Sequence, residues 1–579
     1  MKNQSLQILS LAVVAAIGFT ACNGLGKLVK NADKITYTVT PNPMEMHGDS
    51  IVVSVSGTYP EKIFPKKAVV TTIPVVKFNG GEKELKPVVL IGEKVKGATG
   101  QTIVKAKGGS FSYTSEKFAY TPEMKQATLD VKVAGQVKKK KKDLPTKTIA
   151  DGTIITPLLV KNDEKPVLAK DKFTKTVSRT QSANIYFVVN QSQVRGTEMN
   201  NAEMKALKDF VTTGLAKGYT FNNMNISSYA SPDGELTLNG NLAESRAKET
   251  AKALMGLFKD KKSKVDAGTS ESFYNKVTTA EDWDGFKKAM EASSIPDKDL
   301  ILRVLTMYPD GEVREREIKN LSKTYVEVAE NILPKLRRSV LTLNAEEKSR
   351  TDEQIKALAS TSTDNSLSIE ELLYAATLTS DLNTKLNIYK KAQAQYGSDW
   401  RTSNNVGYIY LLQNKLSDAE TNLKKADDLS ANNAIVKNNL GIVAHWKGDR
   451  KKAMDLYKDA ASAGPEVSYN MGIIEIQNGN YAAAVSNFGN NNTFNVALAK
   501  LLNGNADGAV STLDASTEKD AAIAYYLKAI AGARQGKADV VTNNLKTAIQ
   551  KDASFKQMAK EDAEFIKFRS NSEFTSMTN

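Results

Sequence analysis

The spacing of apolar and polar residues changes its rhythm three times along the chain. From Lys34 to about Val133 the period is two: Ile35, Tyr37 and Val39 alternate with Thr36, Thr38 and Thr40, and Ile51, Val53, Val55 and Leu129, Val131, Val133 repeat the pattern. Pro41-Asn42-Pro43, Asn79-Gly80-Gly81 and Lys107-Gly108-Gly109 supply turn chemistry between these runs. Such spacing predicts an N-terminal antiparallel β-sandwich over residues 34–137, of about 100 residues. His47, in Met46-His47-Gly48-Asp49, is expected in an exposed loop.

Lys138 to Lys142 is unbroken lysine. Like charges in a row favour an extended, solvated backbone, so 138–179 is expected to be a lysine-rich linker with a strand or two. Contact with anionic lipid heads or acidic polymers is the alternative reading of the run.

Over 180–345 the period alternates between strand and helix. Asn184 to Asn190 reads as a strand; Met204, Leu207, Phe210 and Val211 have helical spacing; Met224 to Ala230 reads as a strand, Leu242 to Phe258 as a second helix and Arg337 to Leu343 as a terminal strand. This is an α+β pattern. Trp283, Phe286, Ile301, Leu302 and Leu305 predict an inserted helical stretch at about 274–334.

Within this region, Asn239-Gly240-Asn241-Leu242-Ala243-Glu244-Ser245-Arg246-Ala247 is similar to the N-x-x-L-S-x-x-R-A signature of OmpA-like peptidoglycan-binding domains, and Ser228-Tyr229-Ala230-Ser231 and Arg337-Arg338 fit the same family. The resemblance implies a site in which an aspartate and an arginine grip the ammonium and carboxylate of diaminopimelate in the wall peptide. A guanidinium forks onto a carboxylate, while an acidic oxygen accepts from an ammonium. Arg246 matches the arginine, with Asn239 and Leu242 in the signature. Where the aspartate belongs stands Ser231, and Asp233 or Glu235 close by can supply the missing charge.

The last third repeats. Gly407 and Gly441 are 34 residues apart, as are Ala419 and Ala453, and Ala392, Ala426 and Ala460. This period with small residues at fixed places resembles the tetratricopeptide (TPR) repeat and predicts a C-terminal α-solenoid over 352–551, followed by a tail, 552–579. Family geometry puts Asn404, Asn405, Asn438, Asn439 and Asn470 on the inner helices, where an amide can pair with a peptide backbone through one donor and one acceptor. Polar filling between repeats is the equal alternative. His445 and Trp446 either line the same groove or pack.

Composition narrows the chemistry. The chain has 579 residues with 41% hydrophobic and 25% charged, that of a folded multidomain protein. It holds two histidines and one cysteine, which excludes a disulfide scaffold within the chain, Cys- or His-rich metal sites, and a Cys–His dyad lacking Cys22. No metal, cofactor or catalytic residue is assigned. A net charge of +14 comes with spread lysines and no nucleic-acid motif, so no nucleic-acid partner is expected.

Met1 to Phe19 has the basic start and short apolar core of a signal peptide, and the only cysteine closes it in Phe19-Thr20-Ala21-Cys22. That stretch resembles a bacterial lipobox, implying a 1–21 leader, diacylation of Cys22 and a tether over 22–33. Two acyl chains suffice for stable anchoring. The segment after Cys22 lacks an acidic export cluster, so the expected location is the outer membrane, facing the periplasm.

Together these readings lead to the expectation of a non-enzymatic outer-membrane lipoprotein, and the combination resembles accessory lipoproteins of Bacteroidota-type envelope machines. Such a protein would touch peptidoglycan through the central domain and recruit protein partners of an envelope assembly or secretion machine through the repeats. A docking subunit whose central domain no longer binds peptidoglycan is the alternative. A glycan hydrolase using Asp233 and Glu235 is a distant third.

Overall fold

The computed structural model describes residues 24–361 and 365–579. The leader 1–21 and the lipidation expected at Cys22 lie outside the described residues. The chain divides into two compact units: residues up to Ala169 with Tyr396–Asn579, and Lys170–Gln395.

In the first unit, the alternating segments form the strands that their period requires. Thr36–Thr40, Ser54–Tyr59 and Gly109–Thr114 make one sheet, and the long strands Val69–Phe78 and Thr128–Val137 centre another. Inward positions such as Val70, Val76, Leu129 and Val131 are buried. Two pairings are parallel, Met44–His47 with Thr153–Ile154 and Val88–Gly92 with Gln101–Ile103, which corrects the expected all-antiparallel sandwich. The first of these joins segments remote in sequence, where no hairpin dictates direction. His47 ends a strand rather than lying in a loop, though it is exposed as expected.

The tether and the linker also need correction. Leu25–Lys30 is a helix whose Leu25 and Leu28 are buried in the β core, because two leucines at this spacing share one face. The lysine run is not a linker: Val137 pairs with Lys140 across a tight turn in which Lys138 has φ 52°, and Lys140–Asp143 is a strand. Its lysines stay exposed while the backbone is paired.

The rest of this unit is a stack of helical hairpins: Trp400–Leu412 with Leu416–Leu429, Ala434–Trp446 with Arg450–Asp459, Pro465–Asn478 with Tyr481–Phe488, Phe494–Leu502 with Ala506–Asp514, and Ala522–Arg534 with Ala538–Lys551. The glycines let partner helices touch. A Cβ on Gly407, Gly441 or Gly472 would lie 2.6, 2.4 or 2.7 Å from Leu423, Tyr457 or Phe488. Residues 552–579 are not a free tail. Helices Ser554–Glu561 and Ser572–Thr578 and the 3-10 turn Ala563–Phe568 between them bring Phe555, Phe565, Phe568 and Phe574 into the repeat core, covering the face that a terminal hairpin leaves bare.

The second unit holds a four-stranded sheet in the order Thr176–Tyr186, Arg338–Lys348, Thr220–Tyr229, Tyr274–Thr279. Helices Ala202–Lys217 and Leu236–Leu257 pack on it through Met204, Leu207, Val211, Ala247, Ala251 and Leu254. The first strand starts before residue 180, and Tyr274–Thr279 belongs to the sheet, so the insertion begins after Thr279. It builds its own core from Phe286, Met290, Ile301, Val328 and Leu336. The helices Asp352–Ser360, Ile369–Ala375 and Leu382–Gln395, expected to open the repeat array, fall in this second unit.

Candidate functional site

The inner helices of the repeats carry the asparagines, and the groove they line holds the chain's own residues 160–169. Asn405 accepts from Ala169 N–H and donates to Ala169 C=O, both at 2.9 Å. Asn439 does the same with Val167, both at 2.8 Å, and Asn470 with Lys165, at 2.7 and 3.0 Å. Asn495, which the sequence reading missed, holds Lys161 at 2.9 and 2.8 Å. Asn404 and Asn438 add donors to Val167 and Lys165 C=O at 3.4 and 3.1 Å. From 165 to 169 alternate residues are gripped, as an extended chain presents them. Pro166 falls between two gripped residues, where its missing N–H leaves no asparagine unpaired.

The asparagines also bond to each other. Asn470 donates to Asn438, Asn438 to Asn439, Asn439 to Asn404 and Asn404 to Asn405, at 3.0, 3.2, 3.0 and 3.1 Å. All five are fully buried. Each amide thus bonds both to the backbone of the chain's own residues 165–169 and to a neighbouring asparagine.

Side chains of the strap find specific partners. Glu164 is buried, its carboxylate facing His445 Nδ1 and accepting from Trp446 Nε1 at 2.7 Å. His445 Nε2 meets Gln477 Oε1 at 2.7 Å. Asp163 accepts from Tyr469 O–H at 2.9 Å. Lys161 reaches Glu518 and stands 4.7 Å over the Phe494 ring. Burial works against the Glu518 charge, yet Lys161 and the Phe494 N–H hold its carboxyl below the ordinary value. The peptide in the groove is thus the chain's own segment, bound in cis.

The central signature residues meet at one end of the sheet. Arg246, 1% exposed, donates to Gln191, Tyr229 and Val188 C=O at 3.1, 2.9 and 3.4 Å and lies 5.2 Å from the Phe187 ring. Burial, with nearby Arg337, brings its pKa down to about 10 against the pull of Asp233. Ser231, also buried, donates to Asp233 and accepts from Arg337 Nε at 3.1 Å, and Arg337 Nη2 is 3.6 Å from Asp233. Burial raises the Asp233 carboxyl above the ordinary range despite Ser231 and Arg337. Asn239 is buried and donates to Asp233 and Gly234 C=O at 3.4 and 3.3 Å, so it fixes the loop. Leu242 is half-buried and Glu235 exposed.

Of the two acids the sequence offered, Asp233 is the one held here, and it pairs with Arg337 rather than with Arg246, while Glu235 is exposed. Arg337 was legible only as part of a doublet. Among the described residues no group of three or more His, Cys, Asp or Glu is placed to hold a metal, and no helix is long and apolar enough to cross a membrane.

The hairpins, their glycine contacts and the backbone-gripping asparagines define a TPR-type helical repeat array, in a chain that also holds a mixed β region and a central α/β unit. No protein-family model and no curated protein matches the sequence. Similar solved structures include YrrB, described as a TPR protein with an unusual peptide-binding site (24% identical, covering 30% of this chain and 97% of that one, TM-score 0.25). Others are PilW, a type IV pilus biogenesis factor (13%, 40% and 100%, TM-score 0.28), and a tetratricopeptide repeat protein from Parabacteroides merdae (14%, 36% and 90%, TM-score 0.28). The repeat assignment rests on this chain's own geometry.

Proposed function

We propose that the chain is a non-enzymatic outer-membrane lipoprotein, facing the periplasm, that touches peptidoglycan through its central unit and brings protein partners to an envelope assembly. The observation that carries the wall contact is the Asp233–Arg337 pair, set by Ser231 beside the buried Arg246. An acidic oxygen and a guanidinium at this separation suit the ammonium and carboxylate of one zwitterionic amino acid such as diaminopimelate. Lipidation at Cys22 would leave only Asn23 and Gly24 before the docked helix Leu25–Lys30. At about 3.5 Å per residue, the β region would then lie against the lipid.

The test is cosedimentation of the full chain with purified, protein-free peptidoglycan. Native protein should pellet with the wall, and Arg337→Ala should remain in solution with unchanged far-ultraviolet circular dichroism. Native protein that stays in the supernatant would refute the wall contact and leave the docking-subunit reading. The repeat groove favours that second reading in one respect, because it already grips an extended polypeptide.

A further inference from the structure

The strap fills the repeat groove, and the groove's asparagines are also held from within the array. The amide chain from Asn470 to Asn405 runs through array residues alone, so these bonds do not require the strap. Between Lys161 and Ala169 only Glu164 and Ala169 are buried, while Val167 and Leu168 are half-buried and Asn162 is exposed. Hydrogen bonds hold this segment more than apolar burial does, and each contributes modestly because water competes for the same groups.

The contacts also define what the groove selects. Four backbone positions are read without regard to side chain. Two charges are read by sign: a lysine at position 161 against Glu518, and a carboxylate at position 164 against His445 and Trp446. Tyr469 adds a donor for an acid at position 163.

We propose that the concave face of the array is a docking site for an extended partner segment of the strap's own pattern. That pattern is a lysine, a carboxylate three residues later, and alternate backbone amides free from the next residue onward. The chain's residues 160–169 occupy the site until such a segment replaces them. This rests on the reading of the array as the partner-binding element and specifies its ligand.

The test uses the full chain and a synthetic peptide of residues 159–171. A tethered strap competes at an effective concentration of the order of mM. The titration is therefore run on native protein and on K161Q/E164Q, whose strap has lost both charged contacts; E164Q alone serves if the double variant does not fold. The peptide should bind the variant at least about tenfold more tightly than native protein. In native protein, excess peptide should raise hydrogen exchange at the Lys161, Lys165, Val167 and Ala169 amides. A peptide N-methylated at the Val167 and Ala169 positions should do neither. A folded variant that binds no peptide, with strap exchange unchanged in native protein, would overturn the proposal and make the strap a permanent brace. Wall cosedimentation does not involve the groove, so that failure would leave the peptidoglycan reading standing.

Discussion

Replacing Asn439 with alanine removes the acceptor for Val167 N–H and for Asn438 Nδ2, the donor to Val167 C=O and the donor to Asn404, four bonds of 2.8, 3.2, 2.8 and 3.0 Å. At a net ~0.5–1.5 kcal/mol each, their loss is bounded at about 6 kcal/mol. Val167 is half-buried, so water can reach its amide and carbonyl once the side chain is gone, and about 2 kcal/mol is the expected local loss. That corresponds to roughly 30-fold faster exchange of the Val167 amide under native conditions. Asn439→Asp keeps the shape and the acceptor but sets a carboxylate oxygen against Val167 C=O and Asn404 Oδ1, so it should be at least as damaging. Native-state hydrogen exchange with residue resolution reads both variants. If Val167 and Ala169 exchange as in native protein, water alone satisfies the strap and the ladder does not hold it. The Lys161 amide, gripped by Asn495 at the far end, tells whether the strap frays or opens as one piece.

Alanine for glycine inside a helix ordinarily gains about 1 kcal/mol. Gly441→Ala should instead lose a net ~1–2 kcal/mol by urea unfolding, because its Cβ would fall 2.4 Å from Tyr457, deep in the hairpin contact. Arg246→Ala strips donors from three carbonyls and leaves a void, so it should destabilise the fold by about 3 kcal/mol, whereas Arg337→Ala should abolish wall binding with the melting temperature nearly unchanged. Burial raises the Asp233 carboxyl in the folded state, so between the ordinary carboxylate value and that raised one the native chain binds more protons than the unfolded chain. Stability should therefore fall as pH rises through this window, and Asp233→Asn should remove that fall. Because an ammonium needs the ionised acid, peptidoglycan cosedimentation should rise across the same window.

What the sequence disclosed follows from how local each signal is. The 34-residue spacing of Gly407 and Gly441 and the alternation around Val131 report contacts that recur within a few turns or along one strand, and both elements formed. The strap is different. Nothing in Lys161 to Ala169 has a period, because an extended chain read largely through its backbone needs no regular alternation of apolar side chains. The receiving side did carry a signal: Asn405, Asn439, Asn470 and Asn495 each precede a small residue, Gly407, Gly441, Gly472 or Ala497, by two. The uneven repeat lengths hid the fourth. The Arg337 pairing with Asp233 was illegible for another reason, since it joins residues far apart in sequence through the packing of one loop against the end of a strand.

The strap is one of several contacts that close the discontinuous first unit. Residues before Ala169 and after Tyr396 form one compact body although the whole of Lys170–Gln395 separates them in the chain. Closing so long a loop costs entropy, but the cost grows only with the logarithm of length, by about 0.6 kcal/mol per doubling. Contacts at several places oppose it: four asparagine-to-backbone pairs, the buried Glu164 against His445 and Trp446, Thr156 donating to Glu564 at 2.5 Å, and Lys125 with Glu561 at 2.7 Å. The last two do not involve the segment in the groove. They join Lys125 and Thr156 of the N-terminal part to the capping segment at Glu561 and Glu564, so the closure of the unit does not rest on the strap alone. A groove that can empty without the unit coming apart is what exchange with a partner segment requires.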